Sequence, residues 1–68
     1  MRILVEDYRK RRKLNQAQLS KASGVPQPMI SMIETGTVPN PTIGTLYKLS
    51  IALKCTVDDL IEEDVRGA

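Results

Sequence analysis

The segment from Asn15 to Gly36 constrains the fold of this chain most, because it carries the start and end signals of two short helices. Asn15 is a favoured helix N-cap, and Gln18 three positions later can complete a capping box. Gly24 and Gly36 each stand where a residue with positive φ ends a helix. The sequence therefore predicts two helices, with the chain reversing at Gly24 between them.

The apolar residues of this segment are spaced to share one face of each helix. Leu19 and Ala22 form a stripe in the first helix that is too narrow for a helix that folds alone. Ile30 and Ile33 form the inward face of the second, and Val25 follows the turn into the core. Two short helices packed across such a turn have the layout of a helix-turn-helix motif.

Three further helices are predicted outside this pair. The first covers about residues 3–13, the fourth begins at Thr42, and the fifth begins at Thr56, where Asp59 completes a capping box. No strand pattern or internal repeat is visible, so the predicted fold is all-α with five helices. The residues expected to face inward are Val5, Tyr8, Ile43, Leu46, Leu49, Leu53, Val57, Leu60 and Ile61.

Composition sets the broad class of protein. With 68 residues we expect a single domain over residues 1–68, and with only two aromatic residues its core must be aliphatic. The chain has no histidine and one cysteine, Cys55, which excludes an intrachain disulfide and removes the usual metal ligands and general bases. We therefore expect no enzyme activity, no metal, no cofactor and no small-molecule ligand.

Neither a signal peptide nor a membrane-spanning segment is visible in the sequence. The apolar start is interrupted at once by Glu6 and Asp7, and no apolar run approaches the ~20 residues that span a bilayer. We expect a cytoplasmic protein without a membrane partner.

Charge is distributed unevenly along the chain. Residues 1–54 hold nine Lys or Arg and three acidic residues, whereas residues 55–68 hold five acidic residues and one Arg. The basic part suits an electrostatic approach to phosphates, and the acidic tail at about 62–68 is expected to face away from DNA. The basic run at residues 9–13 has two interpretations, a DNA contact or a solvated helix face.

The strings LNQAQLSKASGV, PMISMIETG and NPTIGTLYKLSIALKCTVDDL, in this order, resemble the lambda Cro and C1 repressor type of helix-turn-helix domain, the XRE family. The resemblance covers about residues 3–63 and implies a compact lambda-repressor-like domain with the helix-turn-helix at about 15–36. This sequence departs from the usual family pattern at two positions. Ser20 stands where alanine is usual, and Pro26 stands where a Ser or Thr N-cap is usual.

The resemblance implies a sequence-specific regulator of transcription that binds double-stranded DNA, a repressor of bacterial or phage-like origin associated with the nucleoid. Helix 3 would enter the major groove, and a homodimer would bind an operator. The alternative is a protein-interaction module or antitoxin-like domain with weak DNA binding.

Four outward residues near the start of helix 3, which begins near Pro26 or Gln27, are the candidates for base contacts. The Gln27 amide can pair with adenine N6 and N7, or it can be a solvated helix-start residue. Pro28 and Met32 can contact thymine methyl groups, or they can be apolar surface residues without a role in binding. These candidates are Gln27, Pro28, Ser31 and Met32.

Phosphate contacts are expected from the start of helix 2, whose free amides form an anion site, and from residues after helix 3. Asn15 has a structural interpretation as well, since capping needs no DNA. These candidates are Asn15, Gln16, Thr35, Thr37 and Asn40.

The resemblance also implies a partly buried ion pair between Arg9 and Glu34, which match two positions of the family. Cys55 is expected to pack as a small hydrophobe, with redox sensing as the alternative. Three apolar residues are not obviously needed by the core: Ile3, Leu4 and Val65. Together with the outer side of helix 5, they are the candidates for a homodimer contact.

Overall fold

The computed structural model describes residues 2–38 and 40–62 and confirms the compact five-helix fold. Its helices are α1 (Val5–Arg11), α2 (Gln16–Ser23), α3 (Gln27–Thr35), α4 (Ile43–Leu53) and α5 (Val57–Leu60). Two short strands, β1 (Arg2–Ile3) and β2 (Ile61–Glu62), complete it.

The predicted stop and start signals of α2 and α3 are present. The Asn15 side chain accepts a 2.7 Å hydrogen bond from the Gln18 amide, and the Gln18 side chain accepts one of 2.8 Å from the Asn15 amide. Gly24 has φ 79° and Gly36 has φ 85°, so both helices end on a left-handed residue. The start of α2 and the ends of α2 and α3 are therefore determined by residues at those helix ends.

Aliphatic side chains form the buried core, as predicted from the presence of only two aromatic residues in the sequence. The fully buried members come from all five helices, so the core joins α2 and α3 to the rest of the fold. They are Val5, Leu19, Ile30, Leu49, Leu53 and Leu60.

Two residues predicted to face inward are exposed. Ile43 is 69% exposed, because it lies roughly 90° round α4 from the mean direction of Leu46, Leu49 and Leu53 at 100° per residue. Ala22 of α2 is also exposed. Half-buried polar residues of α2, among them Gln16, Ser20 and Ser23, share the inner side with Leu19 instead.

The sequence showed no strand pattern, yet β1 and β2 pair antiparallel, with Ile3 opposite Ile61. The Leu4 amide extends this link with a 2.7 Å hydrogen bond to the Leu60 carbonyl. Ile3 packs against the core, so the expectation that the core does not need it is wrong. Leu4 is half-buried, and the dimer contact expected at these residues stays a prediction. Val65 lies outside the described residues.

Helices α1 and α5 are shorter than predicted. α1 begins at Val5 because the preceding residues form β1, and Lys13 beyond its end has φ 58°. α5 has the predicted Thr56–Asp59 capping box but ends at Leu60, where β2 takes over. Of the predicted acidic tail, only Glu62 is described, and it forms an exposed ion pair with Arg2 at 3.3 Å.

Candidate nucleic-acid interface

The outer face of α3 lies opposite its buried residues Ile30 and Ile33. Met29 is half-buried and packs against the core, so it is not part of this face. Four residues of the face are exposed and Ser31 is half-buried. The residues of this face are Gln27, Pro28, Ser31, Met32 and Thr35.

This face carries no charged side chain, although it belongs to a basic part of the chain. The Gln27 amide both donates and accepts hydrogen bonds, which suits the N6 and N7 atoms of adenine. Pro28 and Met32 add apolar surface that suits a thymine methyl group. The face therefore presents one amide, hydroxyl groups and apolar surface to a binding partner.

The end of α3 leads into a polar loop that is held in place by hydroxyl groups. Thr35 donates a 3.2 Å hydrogen bond to the Met32 carbonyl, and the Thr35 and Thr37 hydroxyls lie 3.0 Å apart. Asn40 is exposed beyond this loop. The three residues predicted to contact phosphate here, Thr35, Thr37 and Asn40, thus lie on the surface at the C-terminal end of α3 and beyond it.

Asn15 and Gln16 lie at the start of α2 and differ in their surroundings. The Asn15 oxygen is used by the cap, while the residue is exposed. The Gln16 amide instead donates a 3.0 Å hydrogen bond to Glu34, a contact that sequence reasoning missed because it joins two helices. The Gln16 backbone N–H still belongs to the first turn of α2, where amides have no partner within the helix.

Arg9 and Glu34 lie in contact and connect α1 to the end of α3. Arg9 Nε lies 2.8 Å from Glu34 Oε2, and Arg9 Nη2 lies 3.1 Å from Oε1. Arg9 also donates from Nη1 to the Leu14 carbonyl at 2.8 Å. The hydrogen bonds to Glu34 raise the pKa of Arg9 above its ordinary value, against the opposing effect of burial. The side chains are only 12% and 5% exposed, so water screens this pair little.

Two serine hydroxyls fix the turn between α2 and α3. Ser20 donates a 2.6 Å hydrogen bond to the Val25 carbonyl, and Ser23 accepts one of 3.1 Å from the Val25 amide. Ser20, where the family usually has alanine, therefore adds a bond that alanine cannot make.

Cations of the basic run at residues 9–13 contact different parts of the chain. Besides the Arg9 pair, Lys10 lies 3.2 Å from Glu6, and the Arg11 guanidinium lies 4.7 Å from the centre of the Tyr8 ring. Arg12 donates a 3.1 Å hydrogen bond to the last carbonyl of α4, that of Leu53. Four of the five cations therefore contact their own chain, but Arg11, Arg12 and Lys13 remain exposed. Since α1 ends at Arg11, the run is only partly helical, and a DNA contact stays a prediction.

Cys55 is half-buried and packs against the core. Burial, followed by the nearby charge of Asp59, raises the pKa of its thiol. A raised pKa leaves less of the reactive thiolate at neutral pH, which favours packing over redox sensing.

Neither a membrane span nor a metal cluster occurs in the part of the chain that the structure describes. No helix there is long and apolar enough to cross a bilayer. Within the same residues, no three His, Cys, Asp or Glu side chains gather in a group that could hold a metal ion.

Comparison with known proteins identifies relatives of this fold. The chain is similar to the SinR–SinI protein complex, with 32% identity, a TM-score of 0.82, and coverage of 87% of this chain and 57% of that one. It therefore spans little more than half of that matched chain. The N-terminal DNA-binding domain of SinR from Bacillus subtilis matches with 31% identity, a TM-score of 0.82, and coverage of 91% and 90%.

A comparison with curated proteins finds no match. The family model described as helix-turn-helix matches residues 5–60, which include α1 to α5. This match covers most of the chain and agrees with the arrangement of α2, Gly24 and α3. The chain therefore belongs to the Cro/C1-type helix-turn-helix family.

Proposed function

We propose that this protein is a sequence-specific DNA-binding regulator of transcription that inserts α3 into the major groove. The observation that carries the proposal is the outer face of α3, which is exposed while its inner face is packed against the core. Gln27 would contact an adenine, and Pro28, Ser31 and Met32 would complete the base contacts. The similar SinR domain is named as a DNA-binding domain, which supports the same role here.

The backbone contacts in this proposal come from both ends of the helix pair. The first-turn amides of α2, with Asn15 and Gln16, would hold one phosphate, because a helix N-terminus attracts anions. Thr35, Thr37 and Asn40 would hold another beyond α3. Since α3 itself lacks cations, these contacts and the basic charge of residues 1–54 would supply the salt-dependent part of the affinity.

We further propose that residues 1–68 act as one domain, as a homodimer on an operator in the cytoplasm, and repress by blocking a promoter. A dimer would place its two recognition helices about 34 Å apart, one turn of DNA. We propose that the protein acts as a regulator rather than as an enzyme. Regulation would then follow from occupancy of the operator.

Fluorescence anisotropy with labelled duplexes tests the proposal. We expect a selected duplex to bind at least about 1000-fold more tightly than a random one, with affinity falling steeply as salt rises. Micromolar or weaker binding to every duplex at low salt would rule out the regulator.

A second function, that of a protein-interaction module or antitoxin-like domain, is favoured by two observations. Met32 is 37% exposed on the outer face of α3, beside the exposed Pro28, and this apolar surface could meet another protein. The similar SinR chain is named in a complex with SinI. This function predicts the negative outcome of the anisotropy experiment.

A further inference from the structure

Helix α4 exposes a line of large apolar side chains that the fold does not use. Ile43, Tyr47 and Ile51 are 69%, 58% and 59% exposed, and their spacing of four places them along one side of the helix. Of the large apolar residues exposed in residues 2–38 and 40–62, only Met32 lies elsewhere. We call Ile43, Tyr47 and Ile51 the α4 stripe.

A glycine beside the stripe points to a close neighbour. Gly44 is helical with φ outside the positive range, so its conformation does not require glycine. A Cβ at this position would meet only Thr42 Oγ1, at 4.0 Å, so packing within the chain does not require glycine either. Glycine nevertheless lowers helix stability, and the space above it would let another chain approach the backbone closely.

We propose that the α4 stripe is the contact between two copies of this chain, related by a two-fold axis that passes beside Tyr47. With the two α4 helices antiparallel, Ile43 of each copy meets the partner's Ile51, and the two Tyr47 rings meet at the centre. The pattern is complementary to itself, which a two-fold contact requires. The space above Gly44 receives the aliphatic stem of the partner's Lys48.

Charge supports the antiparallel orientation of the two helices. The first turn of α4 contains no acidic residue, and a helix N-terminus carries partial positive charge. Asp58 and Asp59 lie in the first turn of α5, just beyond the other end of α4. An antiparallel pair brings these carboxylates toward the N-terminus of the partner's α4, whereas a parallel pair would not.

The size of the stripe sets the strength of the contact. Three side chains on each copy form a smaller interface than the ~800 Å² per partner of stable complexes. We therefore expect a dimer that dissociates in the micromolar range in the absence of DNA. The inference gives a surface to the dimer of the proposed function, but its test needs no DNA, so either can fail without the other.

Sedimentation equilibrium from about 10 µM to about 1 mM measures the association. We expect wild-type protein to dimerise, Tyr47→Glu to remain monomeric, and Ala22→Glu, a change at an exposed position of α2, to dimerise like wild type. Circular dichroism verifies that Tyr47→Glu is folded, as its exposure predicts. A monomeric wild type, or equal dimerisation of Tyr47→Glu and wild type, overturns the proposal.

Cross-linking gives a second test that does not depend on the charge change. In a Cys55→Ala background, Tyr47→Cys places the new thiols of two copies at the axis, so a disulfide-linked dimer is expected under mild oxidation. Ala22→Cys in the same background should cross-link at least about 10-fold more slowly. Equal rates for the two variants would contradict the antiparallel contact.

Discussion

Arg9 and Glu34 form a two-pronged ion pair that ties α1 to the last turn of α3, with N–O distances of 2.8 and 3.1 Å. Gln16 of α2 donates to the same carboxylate, so Glu34 connects the three helices that position the proposed reading face. Because the pair is nearly buried, its removal should cost more than the removal of a surface pair.

Glu34→Ala is therefore expected to lower the free energy of unfolding by about 3 kcal/mol, because the nearly buried Arg9 would lose its hydrogen-bonded counter-charge. Among the residues that the structure describes, only the Glu6 carboxylate, 3.9 Å from Arg9 Nη2, would remain near it. Urea denaturation measures this loss. The matched control is Glu62→Ala, which breaks the exposed pair with Arg2 and should cost less than about 1 kcal/mol. Similar losses of unfolding free energy in the two variants would show that the Arg9–Glu34 pair stabilises the fold no more than an exposed ion pair does.

Lys54→Gly is expected to stabilise the protein. Lys54 ends α4 in the left-handed conformation, with φ 56°. This conformation is unfavourable for a residue that has a Cβ atom, but not for glycine. We expect a gain of about 1 kcal/mol in thermal or urea unfolding. Lys48→Gly, inside the same helix, should lose about 1 kcal/mol, so the two changes have opposite signs. A loss in both would contradict the assignment of Lys54 as a strained cap.

Stability should depend on the Cys55 thiol at alkaline pH. Its pKa is raised in the folded state, so the stability linked to the neutral thiol is present below the ordinary value of 9.0 and is lost as pH rises through the folded value. The free energy of unfolding of wild type relative to Cys55→Ala should therefore fall as pH rises above 9.0, as measured by urea unfolding. If the difference in unfolding free energy between wild type and Cys55→Ala did not change with pH, the thiol would have the same pKa in the folded and unfolded states.

Gln27→Ala should remove base discrimination without removing binding. We expect the affinity for a selected duplex to fall by about 1–3 kcal/mol, while random duplexes bind within about twofold of wild type. Replacing the contacted adenine should then cost the variant much less than it costs wild type. Equal losses on selected and random duplexes would assign Gln27 to the phosphate backbone or to the fold.

The features of the fold that were predictable from sequence are those with local causes. Asn15 caps α2 through a residue three positions away, and Gly24 and Gly36 end their helices by their own conformational freedom. The β1–β2 pair has no comparable signal, because each strand has two residues and Ile3 meets Ile61 across almost the whole chain. Such pairings depend on how the helices pack and are not visible in local patterns.

For the candidate site, the sequence was sufficient to predict which residues of α3 face outward. It was not sufficient to predict the hydrogen bonds between α3 and the neighbouring helices. The outer face follows from helical spacing once Ile30 and Ile33 are buried. The Gln16–Glu34 bond does not follow, since both residues are polar and their approach depends on the packing of α2 against α3. Ile43 was misplaced for a related reason, because its spacing alone does not show that it lies at the edge of the α4 face.

Enrichment of bound duplexes from a random library measures whether α3 reads a DNA sequence. We expect one enriched sequence with two inverted half-sites whose centres lie about 34 Å apart, and an adenine in each that loses its enrichment with Gln27→Ala. A library that remains random after repeated selection with folded wild-type protein would show that α3 does not read DNA sequence.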